Sequence, residues 1–163
     1  MLELFVYQIN LGGQTMAALS FLTPNEVEQY GLPAEAVLGE VDANRPNMTI
    51  NDFTPNQTFL ELLTAVIRQH APELDSLRQQ AARVQNGPVY VIDRRAIQQG
   101  GTPAFEDMIG WFGARQGQIM PDTYNPNPNY QLLSAGGPLV LEPALEEKLL
   151  AAVRERLLVG PPQ

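Results

Sequence analysis

The apolar positions of this chain change period along its length, and those changes divide it into elements. Leu2–Ile9 carries Phe5, Val6, Tyr7 and Ile9, which predicts a strand. Both of its faces look apolar, so a central place in a sheet is expected. Leu11-Gly12-Gly13-Gln14 reads as a tight turn, because glycine accepts positive φ. Thr15–Leu22 reads as the returning strand. Thr23-Pro24-Asn25-Glu26 opens a helix, with a capping box between Thr23 and Glu26, Pro24 in the first helical position, and Leu22 and Val27 as a staple. Gly31 and Pro33 keep that helix short, and Pro33–Leu38 suits one or two further turns. Gly39–Asn51 has weak periodicity and reads mostly as loop.

Thr54-Pro55-Asn56-Gln57 repeats the opening pattern and predicts a second helix start. Phe59, Leu62, Leu63, Val66 and Ile67 then form one helical face, and Pro72 ends or kinks that helix near His70–Ala71. Pro72–Gln85 reads as its partner, with Leu74, Leu77, Ala81 and Val84 inward and Gly87 as a left-handed stop. Val89–Asp93 is a compact strand, and Arg94–Gly101 a polar loop, with one helical turn starting at Thr102-Pro103. Met108–Ala114 and Gln118–Met120 read as hairpin arms about Gln116-Gly117. Prolines 121, 126 and 128 make Pro121–Asn129 an extended or turning loop. Short strands are expected at Tyr130–Ser134 and Leu139–Leu141, joined by the turn Ala135–Pro138.

Pro143–Val159 carries the clearest helical period, with Leu145, Leu149, Val153 and Leu157 at every fourth position. Acidic residues stand at its start and arginines at its end, as the helix dipole favours. Gly160-Pro161-Pro162 terminates it. The order of elements predicts an α+β fold, with a largely antiparallel or mixed sheet of hairpins against a helical pair and a C-terminal helix. No linker interrupts it, so residues 1–160 read as one globular domain and 161–163 as a short tail.

Charge narrows the partners. The chain has net charge −8 and a pI of about 4.5, with Lys148 its only lysine. Phosphate backbones need clustered cations, so no nucleic acid partner is expected. A protein partner, basic if charge steers the encounter, fits better. The absence of cysteine excludes disulfides and thiolate metal sites and suits a reducing cytoplasm. Glu3 stands where a signal peptide would carry a cation, and no apolar run reaches membrane-spanning length, so no membrane association is expected. Asn47 and Asn56 match the glycosylation sequon, which matters only in a secreted protein.

Candidate chemistry is sparse. His70 is the only histidine and sits at a helix end, where its ordinary partners are free carbonyls, so no catalytic role is expected of it. Ser20, Ser76 and Ser134 lack a nucleophile-elbow context. Gly12-Gly13 belongs to no phosphate-loop motif, and Asp42-Ala43-Asn44 lacks the rest of a calcium loop. No cofactor and no metal site is expected. Asp93, Glu106 and Asp122 are the carboxylates that could converge for acid–base work.

The densest unusual chemistry lies between Glu106 and Tyr130. On strand alternation Ile109, Trp111 and Gly113 share one face, and Met108, Gly110, Phe112 and Ala114 the other. The Phe112 face is the more apolar, which leaves Trp111 either in the core or as the more exposed aromatic. Trp111, Arg115, Tyr124, Asn125, Asn127, Asn129 and Tyr130 are the candidate partner-binding residues. Aromatic and arginine side chains carry binding energy, and a proline-stiffened loop loses little entropy on docking. The alternative is that the prolines only route the chain and both tyrosines are buried. These features favour a non-catalytic interaction protein of a bacterial type, an accessory, adaptor or acidic inhibitor or immunity-like protein. The alternative function is a small hydrolase-type enzyme using carboxylates and an aromatic platform on an uncharged polar substrate such as a sugar. A homo-oligomeric structural protein is the third reading.

Overall fold

A computed structural model describes residues 3–42 and 52–159. It is an α+β protein. The chain divides into two compact units, Met1–Leu63 with Leu149–Gln163, and Thr64–Lys148. Among the described residues no helix is long and apolar enough to cross a membrane.

The first unit holds an antiparallel sheet of β1 (Phe5–Leu11), β2 (Gln14–Ser20), β3 (Val37–Asp42) and β4 (Thr54–Pro55), in that order. The hairpin β1–β2 turns at Gly12 and Gly13, both at positive φ. The expectation of a central first strand is corrected, because β1 is an edge strand among the described residues. Its large apolar residues look more core-like than the alanines of β2, yet Val6 is 61% exposed while Ala17 and Ala18 are buried. Position beside neighbours, and not side-chain size, decides burial here. β2 is the strand paired on both sides, and Ala17–Ser20 is buried on both faces.

β3 replaces the first part of the expected loop at Gly39–Asn51; the rest of that stretch, with Asn47 and the Asp42-Ala43-Asn44 motif beyond Asp42, lies outside the described residues. Gly39 permits the pairing. A Cβ there would strike the Phe53 ring and the Thr54 carbonyl.

Helix α1 (Pro24–Tyr30) starts at the expected capping box: the Glu26 amide donates to Thr23 Oγ1 at 3.2 Å, and the Thr23 amide donates to Glu26 Oε1 at 3.3 Å. Ala34–Ala36 forms one 3-10 turn. The second opening pattern works differently. Thr54–Pro55 is the short strand β4, and Asn56 is the cap of helix α2 (Gln57–His70). Its Oδ1 accepts from the Thr58 amide at 3.2 Å, while its Nδ2 donates to the carbonyls of Ala34 and Val37 at 2.7 and 2.8 Å. Phe59 and Leu63 are buried, and the rings of Phe21 and Phe59 lie 6.3 Å apart.

Helix α5 (Pro143–Val159) spans the expected range. In its first-unit part Leu149, Val153 and Leu157 are buried, as the fourfold stripe requires. Arg154 Nε donates to Glu26 Oε2 at 3.0 Å, and that bond holds the Glu26 carboxyl below its usual pKa. The expected terminator at Gly160–Pro162 and the tail lie outside the described residues.

The second unit holds α3 (Asp75–Val84) against an antiparallel sheet of β5 (Gly87–Ile92), β6 (Met108–Arg115) and β7 (Gln118–Pro126), in that order. α2 ends in a 3-10 turn at Ala71–Glu73, so Pro72 interrupts it as expected, and α3 starts three residues later than Pro72 predicts. Leu77 and Ala81 face inward, but Val84 is 38% exposed, a correction to its expected burial. The left-handed stop is Gln85 at φ 66°, not Gly87. The Gly117 amide donates to Gln85 O at 2.9 Å and the Gln116 amide to Asn86 Oδ1 at 3.2 Å, so the end of α3 holds the tip of the β6–β7 hairpin.

The expectations between Arg94 and Leu141 are corrected at several points. The polar loop contains a short helix, α4 (Arg95–Gln98), and the helical turn forms at Phe105–Asp107 instead of Thr102-Pro103. The strand expected at Tyr130–Ser134 shrinks to β8 (Leu133–Ser134), and its partner β9 (Gly137–Pro138) lies within the expected turn and not at Leu139–Leu141.

Candidate functional site

The hairpin β6–β7 carries most of the candidate residues, and its irregularities sort them. Val91 pairs with Gly110 and Ile92 with Met108, so Ile109 is an additional residue in β6. This bulge breaks the alternation, and Ile109 is buried although Trp111 is not. Further along, Phe112 is wholly buried opposite buried Val89. Trp111 stands half-buried on the other face, between its cross-strand partners Tyr90 and Asn125.

β7 runs further than the expected Gln118–Met120 because only part of it pairs regularly. Trp111 pairs with Asn125 but Gly113 pairs with Met120, so Pro121–Tyr124 bows away from the ladder. Thr123 closes the bow: its hydroxyl accepts from the Gly113 amide at 2.7 Å and donates to Met120 O at 2.6 Å. The bow turns Tyr124 inward. Its ring lies 4.8 Å from that of Phe112, and the Arg68 guanidinium is 6.0 Å from its ring centre. Gly110 makes the space, because a Cβ there would strike the Tyr124 hydroxyl. That hydroxyl has no hydrogen-bond partner among the described residues, and burial pushes its pKa up.

Asn127 is also interior, at 5% exposure. Its Nδ2 donates to the carbonyls of Phe105 and Met108 at 3.0 and 2.8 Å, and its Oδ1 accepts from the Asn129 amide at 3.0 Å. Tyr124 and Asn127 therefore lie inside: the first fills the core and the second pins the chain. Tyr130 is half-buried and directs its hydroxyl inward to Asp93 Oδ2 at 2.7 Å. Asn125, Asn129 and Arg115 are exposed, and Arg115 lies at the hairpin tip. The open set is Trp111, Asn125, Asn129 and Arg115. Tyr90 joins it and was missed, although the alternation of Val89, Tyr90 and Val91 points it away from the valines.

A buried polar cluster supports this hairpin, and no sequence pattern joins its members. Asp93 and Arg95 are 0% and 1% exposed. Arg95 Nε donates to Asp107 Oδ1 at 2.7 Å, and Nη1 lies 3.5 Å from Asp93 Oδ2. The remaining guanidinium donors reach the carbonyls of Gly137, Leu132 and Glu106 at 3.2, 3.4 and 3.1 Å. Asp93 Oδ1 accepts from the amides of Arg95 and Val140, both at 3.0 Å. The cluster thus joins the end of β5, the Phe105–Asp107 turn and the chain from Tyr130 to Val140. The polar stretch around Arg95 reads as loop because the partners that neutralise and bury the guanidinium lie 11 to 42 positions further along the chain. Burial pushes the Asp93 carboxyl up, and the Tyr130 hydrogen bond and Arg95 recover only part of that shift. Burial acts on Asp107 too, but the Ala104 amide and Arg95 hold its carboxyl below the usual value.

Of the three carboxylates that could converge, Asp93 has its oxygens committed within this cluster, while Glu106 and Asp122 are exposed. His70 is half-buried at the end of α2. A cleft of about 190 Å³ beside Tyr90 is lined by Leu77, Gln80, Ile92, Ile97 and Leu145. A wider groove of about 600 Å³ has Arg68 and Arg78 on its walls, together with Glu73. Comparison with protein-family models, with curated proteins and with solved structures returns no match.

The two buried phenols make alkaline stability a test of this packing. Burial is the main reason that Tyr124 and Tyr130 titrate above 10.0, and the Asp93 charge adds to the effect at Tyr130. A folded-state pKa above the unfolded one gives stability that is complete below 10.0 and falls as pH rises through the folded value. Stability should therefore decline above about pH 10, where unfolded tyrosine ionises. Tyr124→Phe and Tyr130→Phe should each make the decline shallower in urea titrations at several pH values. An identical slope in both variants would show that neither phenol is held in this way.

Proposed function

We propose that this is a non-catalytic interaction protein, an accessory, adaptor or acidic inhibitor-like protein, that receives a protein partner on the open face of β5–β6–β7. The observation that carries this reading is the placement of Trp111. It stands half-exposed beside Tyr90 and Asn125, while Phe112 of the same strand fills the core. Trp and Tyr dominate binding energetics when a partner desolvates them. Neither residue opposite Trp111 is a carboxylate, so the row offers stacking and amide hydrogen bonds in place of acid–base chemistry. A net charge of −8 suits a basic partner and gives an association rate that falls with salt.

The experiment is affinity capture from the native host with wild type and with Trp111→Ala and Tyr90→Ala, after matching their circular dichroism spectra. Both variants should lose at least about tenfold in affinity for a captured partner, the effect of roughly 1.4 kcal/mol. His70→Gln should leave it unchanged. Equal affinity in all four proteins would remove this face from the binding surface.

A further inference from the structure

Among the described residues the sheet edges are guarded, with one exception. A strand edge presents unpaired N–H and C=O groups, and proteins blunt it with proline, charge, bulges, short strands or a covering group. β4 is two residues long and contains Pro55. β7 carries Pro121 and Pro126. β5 is covered at Tyr90, whose amide donates to Gln80 Oε1 at 2.9 Å and whose carbonyl accepts from Gln80 Nε2 at 3.4 Å. Among the described residues β1 has none of these devices. Its seven residues, FVYQINL, include no proline and no charge, and its register with β2 runs without a bulge from Phe5–Ser20 to Leu11–Gln14. It is the terminal strand of its sheet among the described residues, and Val6 is the most exposed of the large hydrophobic residues there.

The hairpin geometry says which backbone groups face outward. A two-residue turn at Gly12-Gly13 makes Leu11 and Gln14 the hydrogen-bonded pair that closes the hairpin. Antiparallel bonding alternates, so Phe5, Tyr7, Ile9 and Leu11 bond to β2. Val6, Gln8 and Asn10 point their amides and carbonyls away from it.

We propose that β1 pairs antiparallel with β1 of a second copy of this chain, about a twofold axis through Gln8. That axis is the arrangement that uses all three outward residues. Gln8 exchanges two hydrogen bonds with its own mate, and Val6 exchanges two with Asn10 on each side. The same register sets Tyr7 opposite Ile9, so the half-buried face of β1 continues across the junction. A second copy is favoured over a basic partner at this edge because the strand itself is uncharged and its three outward residues pair with themselves in a single register. The strand offers nothing for a cation to pair with, and Glu3 falls opposite Gly13, so the two acidic chains place no carboxylates face to face. An isologous pairing of this kind closes on itself and stops at two chains. It uses the first unit alone and does not depend on the open face of β5–β7.

Sedimentation measured up to millimolar concentration should show wild type approaching a dimer. Gln8→Pro should stay monomeric with an unchanged circular dichroism spectrum, because proline is tolerated where the strand N–H faces outward. Because the chain has no cysteine, register can be read by single-cysteine cross-linking. Gln8→Cys places two thiols on directly opposed residues, roughly 5 Å apart at Cβ, and should cross-link with a short bifunctional maleimide. Glu3→Cys places its thiols about 33 Å apart along the ladder and should not. A monomer at every concentration overturns the proposal. So does a dimer that survives Gln8→Pro, or one that cross-links at position 3 and not at position 8, since either would place the interface elsewhere.

Discussion

Arg95→Met should lower the stability of the second unit by about 3–5 kcal/mol, the usual result of removing one member of a buried ion pair. Methionine fills similar volume, so the loss comes from the groups left behind. Asp93 and Asp107 lose their cation, and the carbonyls of Gly137, Leu132 and Glu106 lose a donor. A buried carboxylate without its partner costs more than the pair gained by forming. Urea unfolding followed by fluorescence isolates the effect, because Trp111 is the only tryptophan and lies in this unit. Adding Asp93→Asn to Arg95→Met should recover part of the loss, since it removes one stranded charge. A single-variant loss below about 1 kcal/mol would mean that water reaches the cluster and that it does not fix the chain as described.

Leu149→Ala should cost about 2–5 kcal/mol, the range for deleting a fully buried leucine side chain. Leu149 is 0% exposed and belongs with the first unit, as do its stripe-mates Val153 and Leu157. Its loss leaves a void that rigid neighbours can only partly fill. The change should appear in urea unfolding followed by circular dichroism. A loss under about 0.5 kcal/mol, the level of an ordinary surface substitution, would place that face of α5 in solvent.

Legibility in the sequence followed the range of the interaction responsible. Periodicity found α2 and α5 within their observed ends, because a helix is set by neighbours three and four residues away. The Thr23–Glu26 box and the Gln116-Gly117 turn were legible for the same reason. β3 was not, since Gly39 looks like a loop residue until Phe53 packs over it. The richer apolar face of Phe112 left Trp111 open between core and surface, because the bulge at Ile109 is not written in the alternation. The inward turn of Tyr124 was not legible either, because it depends on the bow at Pro121–Tyr124 and on the missing side chain at Gly110. Tyr130 and Asn127 meet partners 37 and 22 positions away, and no local pattern encodes such a meeting.

The division of the chain bears on the order in which it can fold as it leaves the ribosome. Thr64–Lys148 is one continuous run, so every residue of the second unit has been synthesised before Leu149 is added. The first unit is built from two separated stretches, and Glu26 cannot meet Arg154 until the last helix has emerged. The early strands β1–β3 must then wait for Leu149, Val153 and Leu157 through the synthesis of the whole second unit. That interval is when an unprotected strand edge is most exposed to capture by chaperones or by neighbouring chains. Translation speed over the codons for 64–148 would therefore set how long the early strands stay incomplete, a control on yield that acts before any finished molecule exists.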